Sequence, residues 1–220
     1  MKQTIARLYK YRDALYKLKR LGLTKVFSDN LSDTVGVTSS QVRKDLLLYG
    51  AQGKKKAGYQ IDSLLEMLNQ TLSKNQVQNV IVVGAGHIGM ALSNYQGFLD
   101  DGIHILAVFE KDLTKIDRSA KTPVLPLEEL KGFVQEKQVR VGIIAVPGTA
   151  AQEVLNALAL AGIQGALNFA NTRLTLPHKE FVLNYVDVGL ELETVIYSVN
   201  LLNKEQGNAK TDGGDFSGQA

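Results

Sequence analysis

Three glycines, Gly84, Gly86 and Gly89, set the spacing G-x-G-x-x-G within Val80-Ile-Val-Val-Gly-Ala-Gly-His-Ile-Gly-Met-Ala-Leu92. Glycine acts at such places through what it lacks. The first permits a tight turn, the second lets the main chain approach a pyrophosphate, and the third lets a helix pack closely on a strand. The N–H groups of Ala85, His87 and Ile88 complete the loop, and at a helix start such groups form the positive end of a dipole that attracts phosphate. The spacing alone is weak evidence, so the flanks matter. Residues 80–83 read as a buried strand, 88–98 as a helix, and 103–109 as a second strand ending at Glu110. That carboxylate, 21 positions past Gly89, could bind a ribose 2′-hydroxyl and would repel a 2′-phosphate, favouring NAD over NADP, though Lys111 beside it softens the preference. The bland alternative is the same fold with an empty crevice or a different ligand.

The elements that must hold this loop follow in alternation: a helix over 128–137, a strand over 139–146, a helix over 149–161, and strands over 163–169 and 181–188. Such alternation predicts a parallel sheet with helices on both faces and a ligand outside the carboxyl ends of the strands. Val146-Pro147-Gly-Thr149 and Asn168-Phe-Ala-Asn171 end strands at that edge, where they either line the nicotinamide side or serve as ordinary turns. The last helix, residues 190–202, carries Leu192, Val195, Ile196 and Val199 on one side and Leu190, Tyr197 and Leu201 on the opposite side. A helix apolar on two opposed faces must be sandwiched, within its own domain or against a partner chain. Residues 204–220, rich in Gly, Asn, Asp, Ser and Gln, read as a disordered tail.

The whole chain sets bounds. At 220 residues it holds one large or two small domains. With no cysteine, disulfides, cysteine-ligated zinc and thiol redox sensing are ruled out; only His87, His104 and His178 remain, a poor basis for a metal site. No apolar run reaches the ~18 residues of a membrane span, and Met1-Lys-Gln-Thr4 is not a secretion signal, so the expectation is a cytoplasmic protein without a membrane partner. The net charge of +3 conceals an asymmetry. Residues 1–60 hold 13 Lys/Arg against four acids, and the remaining 160 hold 12 against 18. A basic front and an acidic back suggest two domains, the first meeting a polyanion.

In the basic part, residues 2–21 predict a helix with Ile5, Leu8, Tyr9, Leu15 and Tyr16 on one stripe and Arg12 in its middle. A guanidinium there must be paired, must meet a partner, or must snorkel with its stem packed; the last is slightly favoured. A short helix over 28–33, a turn at Gly36 and a helix over 38–48 make a helix-turn-helix. Residues near the start of its second helix would reach base edges in the major groove: Ser39, Ser40, Gln41, Arg43 and Lys44, with Val42 and Leu46 facing the core. Residues 49–59 place glycines around Lys54, Lys55 and Lys56, a β-hairpin wing suited to phosphates or the minor groove, where a solvated loop is the plain alternative. An amphipathic helix over 61–73 and a polar link over 74–78 close the domain. The expected fold is α/β: a winged helix-turn-helix domain (1–78), a Rossmann domain (79–188), a dimerisation helix (189–203) and a tail (204–220). Three functions compete. One is a DNA-binding regulator responsive to a dinucleotide, and another a dehydrogenase with a basic appendage, for which no acid/base group stands out. The third is a regulator sensing another nucleotide or coenzyme A.

The residues resemble one family, the bacterial redox-sensing transcriptional repressors called Rex. The likeness runs over residues 5–202 and is most specific at Gln41-Val-Arg-Lys-Asp-Leu46, at Gly84-x-Gly-x-x-Gly89, at Gly162-Ile and Leu167-Asn-Phe-Ala170, and at Val186-Asp187. It implies a homodimer in which the terminal helix, from Leu190 to Leu202, is exchanged between subunits. It implies double-stranded operator DNA as partner and NADH and NAD⁺ as ligands, with NADH releasing the DNA, and no catalysis. It also implies that Arg12 meets Asp187 as the domains rearrange, with Tyr95 exchanging contacts with that aspartate. The chain departs from the family pattern at His87 (usually asparagine), Lys56 (a wing glycine), Asn171 (a common proline) and Asp117 (a common glycine).

Overall fold

The computed structural model describes residues 2–51, 58–72 and 77–211. Two compact units emerge, one of residues 1–78 with Asp100–Gly102, the other of the remainder.

The first unit is built on α1 (Lys2–Arg20), β1 (Lys25–Val26), α2 (Ser28–Val35), α3 (Ser39–Leu48), β2 (Tyr59–Gln60) and α4 (Ile61–Thr71). Its core takes Leu8, Tyr11 and Leu15 from α1, Leu31 from α2, Val42 and Leu46 from α3, and Ile61, Leu64, Leu65 and Leu68 from α4. Val42 and Leu46, one turn apart, face inward as their spacing requires. The stripe expected on α1 divides in two: Leu8 and Leu15 are joined in the core by Tyr11, while Ile5, Tyr9 and Tyr16 stay partly exposed. Between α2 and α3 the chain turns at Gly36, whose positive φ of 73° a side chain would resist, and Thr38 caps α3 by accepting from the N–H of Gln41 at 3.1 Å. The strand β2 pairs antiparallel with β1, Val26 opposite Tyr59; of the hairpin expected over residues 49–59, residues 52–57 lie outside the described residues. Lys54, Lys55 and Lys56 lie outside the described residues.

The second unit follows as β3 (Gln78–Val83), α5 (His87–Ser93), α6 (Gly97–Asp100), β4 (Ile103–Glu110), β5 (Val124–Pro126), α7 (Leu130–Lys137), β6 (Val141–Ile144), α8 (Gly148–Ala161), β7 (Gly165–Asn168), β8 (Val182–Tyr185) and α9 (Val188–Thr211). The sheet order is β5-β4-β3-β6-β7-β8, with β3–β6, β4–β5, β6–β7 and β7–β8 parallel. Succession reverses direction at β3, which places the switch point between β3 and β6. Both faces are covered, which is why residues 80–83 read as an unbroken apolar run. Ile81 and Val83 join Leu155 and Leu158 of α8 on one side, and Val80 and Val82 pack with Met90 and Leu92 of α5 on the other.

Several expectations need correction. The helix foreseen over 88–98 stops at Ser93, because the Ser93 hydroxyl and the Asn94 amide both donate to the Met90 carbonyl in place of continuing turns, and α6 begins anew at Gly97. The stretch from Lys204 expected as a tail is helical to Thr211, since Lys204-Glu-Gln206 extends α9 with good helix formers; residues 212–220 lie outside the described ones. Every residue of α9 from Val188 to Asn203 is exposed, both apolar faces included.

Candidate nucleotide crevice and nucleic-acid interface

At the switch point the glycines divide by what surrounds them. Gly84 has φ 110°, and a Cβ there would stand 2.4 Å from the Ala145 carbonyl oxygen. A Cβ on Gly89 would lie 1.9 Å from the Gly84 carbonyl oxygen. A Cβ on Gly86 would meet nothing within 4 Å. Two glycines are therefore required by the protein's own packing, while the third leaves a cradle facing open space at the start of α5. The edge of β3 is tied on both sides, Gly84 N–H donating to the Phe109 carbonyl and Ala145 N–H to the Val83 carbonyl, each at 2.8 Å.

Glu110 ends β4 and fixes this loop. One carboxylate oxygen accepts from the N–H of Ala85 at 2.8 Å, the other from Lys111 at 2.8 Å and Asp112 at 3.0 Å. Burial works against the ionised form, but the three backbone donors outweigh it and hold the carboxyl below its ordinary value. The sequence pointed to a ribose contact and missed this second task. The oxygen that accepts from Ala85 keeps a lone pair for a ribose hydroxyl.

A cleft of about 230 Å³ opens beside the loop, lined by Gly84, Glu110, Lys111, Leu127, Val146 and Pro147 among others. Its walls are largely apolar, with the charged groups Glu110, Lys111 and Glu153 among the lining residues, a mix that suits a flat base and a ribose. Val146 and Pro147 thus share the Glu110 side of the crevice. Asn168 is fully buried and spends its side chain on its own loop, donating to the Ala170 and Thr172 carbonyls and accepting from Ala170 N–H. Ala85 is half-buried, and His87, Ile88 and Lys111 are exposed around the opening. Asp117 caps its own turn, accepting from Ser119 N–H and hydroxyl.

In the first unit, Ser40, Arg43 and Lys44 form an exposed face of α3, with Ser39 and Gln41 half-buried at its edge. Arg43 donates to the Ser28 hydroxyl at 2.9 Å, which ties it to the start of α2. Arg12 is neither snorkelling nor unpaired. It is buried, donates to Asp101 at 2.8 Å and to Asp13 at 3.2 Å, and lies over the rings of Tyr9 and Tyr16. Tyr95 is exposed and packs edge-on against Phe98, and Asp187 accepts from Leu190 N–H at the start of α9.

Fold and site together define a DNA-binding-type domain joined to a nucleotide-binding domain of the doubly wound class. Family models agree with that division: "Putative DNA-binding protein N-terminus" matches residues 2–46 and "CoA binding domain" residues 75–172. The redox-sensing transcriptional repressor Rex of Carboxydothermus hydrogenoformans is 43% identical over 89% of this chain and 94% of its own. The chain belongs to the family of redox-sensing transcriptional repressors called Rex, a family of repressors rather than enzymes. Among solved structures, the repressor RSP in complex with β-NAD⁺ and operator DNA is 29% identical with a TM-score of 0.84, covering 97% of each chain. RSP in complex with β-NADH gives 0.82 at 29% identity, covering 96% of this chain and 98% of that one.

Two outcomes follow from the crevice. Gly89→Ala lowers the midpoint of thermal unfolding, whereas Gly86→Ala leaves it near wild type, as a calorimetric comparison would read. Because Glu110 ionises more readily folded than unfolded, its contribution to stability is complete above the ordinary value of 4.5 and disappears as pH falls through its lower folded value. Glu110→Gln should therefore flatten part of the acid limb of a stability–pH curve; a limb identical to wild type would contradict the assignment.

Proposed function

We propose that this chain is a cytoplasmic, homodimeric repressor that holds operator DNA when NADH is scarce and releases it when NADH enters the crevice at Gly84–Gly89. The observation that carries the reading is the Gly86 cradle beside the Glu110 cleft, in a chain related over nearly its whole length to redox-sensing repressors. The residues fit a dinucleotide. The main chain from Gly84 to Gly89 meets the pyrophosphate, Glu110 takes a ribose hydroxyl, and Val146 and Pro147 flank the adenine. The bound dinucleotide supplies the signal through its reduced or oxidised ring, and no group of the chain is asked to move a hydride.

Ser39, Ser40, Gln41, Arg43 and Lys44 read or hold the duplex in the major groove, and Lys54, Lys55 and Lys56 follow its phosphates. The exposed apolar faces of α9 are covered by a second copy, which pairs the recognition helices for a palindromic site. The switch trades contacts. Arg12 leaves Asp101, a half-exposed carboxylate that gives it up at modest cost, for Asp187, with Tyr95 yielding its place. To carry the dimer from nearly all bound to nearly all released, NADH must favour the released arrangement by about 10⁴-fold.

A second reading, coenzyme A as the ligand, is favoured by the family model over residues 75–172. Mobility-shift assays with graded NADH, NAD⁺ and coenzyme A separate the two. NADH alone should release DNA from the wild type and fail to release it from Gly86→Ala; retention at saturating NADH would reject the proposal, and release by coenzyme A would favour the second reading. Arg12→Ala and Asp187→Ala should still bind NADH while losing much of its effect on DNA. Normal release in both variants would reject the switch pair.

A further inference from the structure

Asp45 lies on α3 one turn past Gln41 and is almost wholly buried, at 3% exposure. Its carboxylate accepts four side-chain hydrogen bonds. Arg7 donates through Nε at 2.6 Å and Nη2 at 2.9 Å, the Tyr11 hydroxyl at 3.0 Å and Gln41 Nε2 at 2.7 Å. The Arg7 guanidinium lowers the Asp45 pKa against the effect of burial, and burial with the neighbouring carboxylate pushes the Tyr11 hydroxyl up to about 12. The cluster is thus a fixed anion surrounded by donors.

That has a consequence for Gln41. An ionised carboxylate can only accept, so the Gln41 amide can face it only with its nitrogen. One N–H is spent on Asp45, and the carbonyl and the second N–H remain, in fixed order, for whatever lies beyond. Adenine in the major groove asks for one acceptor opposite N6–H and one donor opposite N7, side by side. An amide free to turn over would present that pair half of the time in reverse.

We propose that Asp45, held by Arg7 and Tyr11, is a positioning residue that sets the amide orientation of Gln41 and so confers preference for adenine at one position of each half-site. The inference rests on the reading that α3 enters the major groove, and it adds a specificity determinant that does not itself touch DNA.

The test uses the full-length chain. Duplexes selected from a random pool without NADH define the preferred site, and fluorescence anisotropy then compares all four base pairs at each position. Gln41→Ala should abolish the preference at a single adenine. Asp45→Asn should weaken discrimination at that same position by about fivefold or more while leaving other positions as in wild type. Tyr11→Phe, which spares the Asp45–Gln41 bond, should keep the preference. An Asp45→Asn variant that loses affinity equally for every sequence, or keeps or sharpens the adenine preference, overturns the proposal. So does an unchanged preference in Gln41→Ala. Failure of the wild type to select any site overturns the regulator reading itself. Should Asp45→Asn not fold, wild-type chain on a duplex with 7-deazaadenine at the position decides: weakening of about fivefold supports an ordered amide, and equal binding refutes it.

Discussion

The crevice depends on two places where no side chain can exist. A Cβ on Gly84 would stand 2.4 Å from the Ala145 carbonyl oxygen, and Gly89 brings α5 so near β3 that any Cβ would overlap the Gly84 carbonyl. Close packing of this kind leaves no room for adjustment, because interiors are filled to crystal-like density. From it follow the approach of the β3 and β6 ends, the exposed bend at Gly86, and the alignment of Ala85 N–H toward Glu110. Open space at Gly86 is what remains once the protein has satisfied itself elsewhere.

Both functional regions use the same device, a partly or wholly buried carboxylate facing only donors. Glu110 holds the glycine loop by three backbone N–H groups, and Asp45 joins α1 to α3 through Arg7, Tyr11 and Gln41. Charge-assisted bonds of this kind contribute about 1.5–3 kcal/mol each, enough to fix a loop or a side chain without a larger core. In both places the carboxylate orders groups that themselves face outward. Rigid presentation of donors and acceptors, rather than any reacting side chain, is what the two units have in common.

Much of this was legible in the sequence, and the exceptions have physical causes. The alternation of strands and helices and the inward faces of Val42 and Leu46 follow from periodicities that tertiary packing preserves, and the glycine loop followed by Glu110 from their spacing. The strand Val124–Pro126 escaped notice because three residues beside a proline carry no period of their own, and pairing with Val108, Phe109 and Glu110 creates it. The break after Ser93 depends on two side chains competing for one carbonyl, which composition does not reveal. Arg12 was visible as an anomaly, yet its partner Asp101 lies 89 residues away and only folding supplies it. Tyr11 fell off the expected stripe because the core of α1 lies one residue round from the apolar pattern. The bond from Gln41 to Asp45, one turn along the same helix, accords with their spacing in the sequence.

The central claim is that nucleotide in the second unit changes how two copies of α3 are presented. The chain contains no cysteine, so Asp33→Cys, exposed on α2, gives a single spin-label site per subunit. Pulsed electron–electron resonance on the labelled dimer then reads the separation of the two DNA-binding units directly. A shift of the distance distribution with NADH, absent with NAD⁺, is the predicted result. Superimposable distributions under both conditions would contradict it.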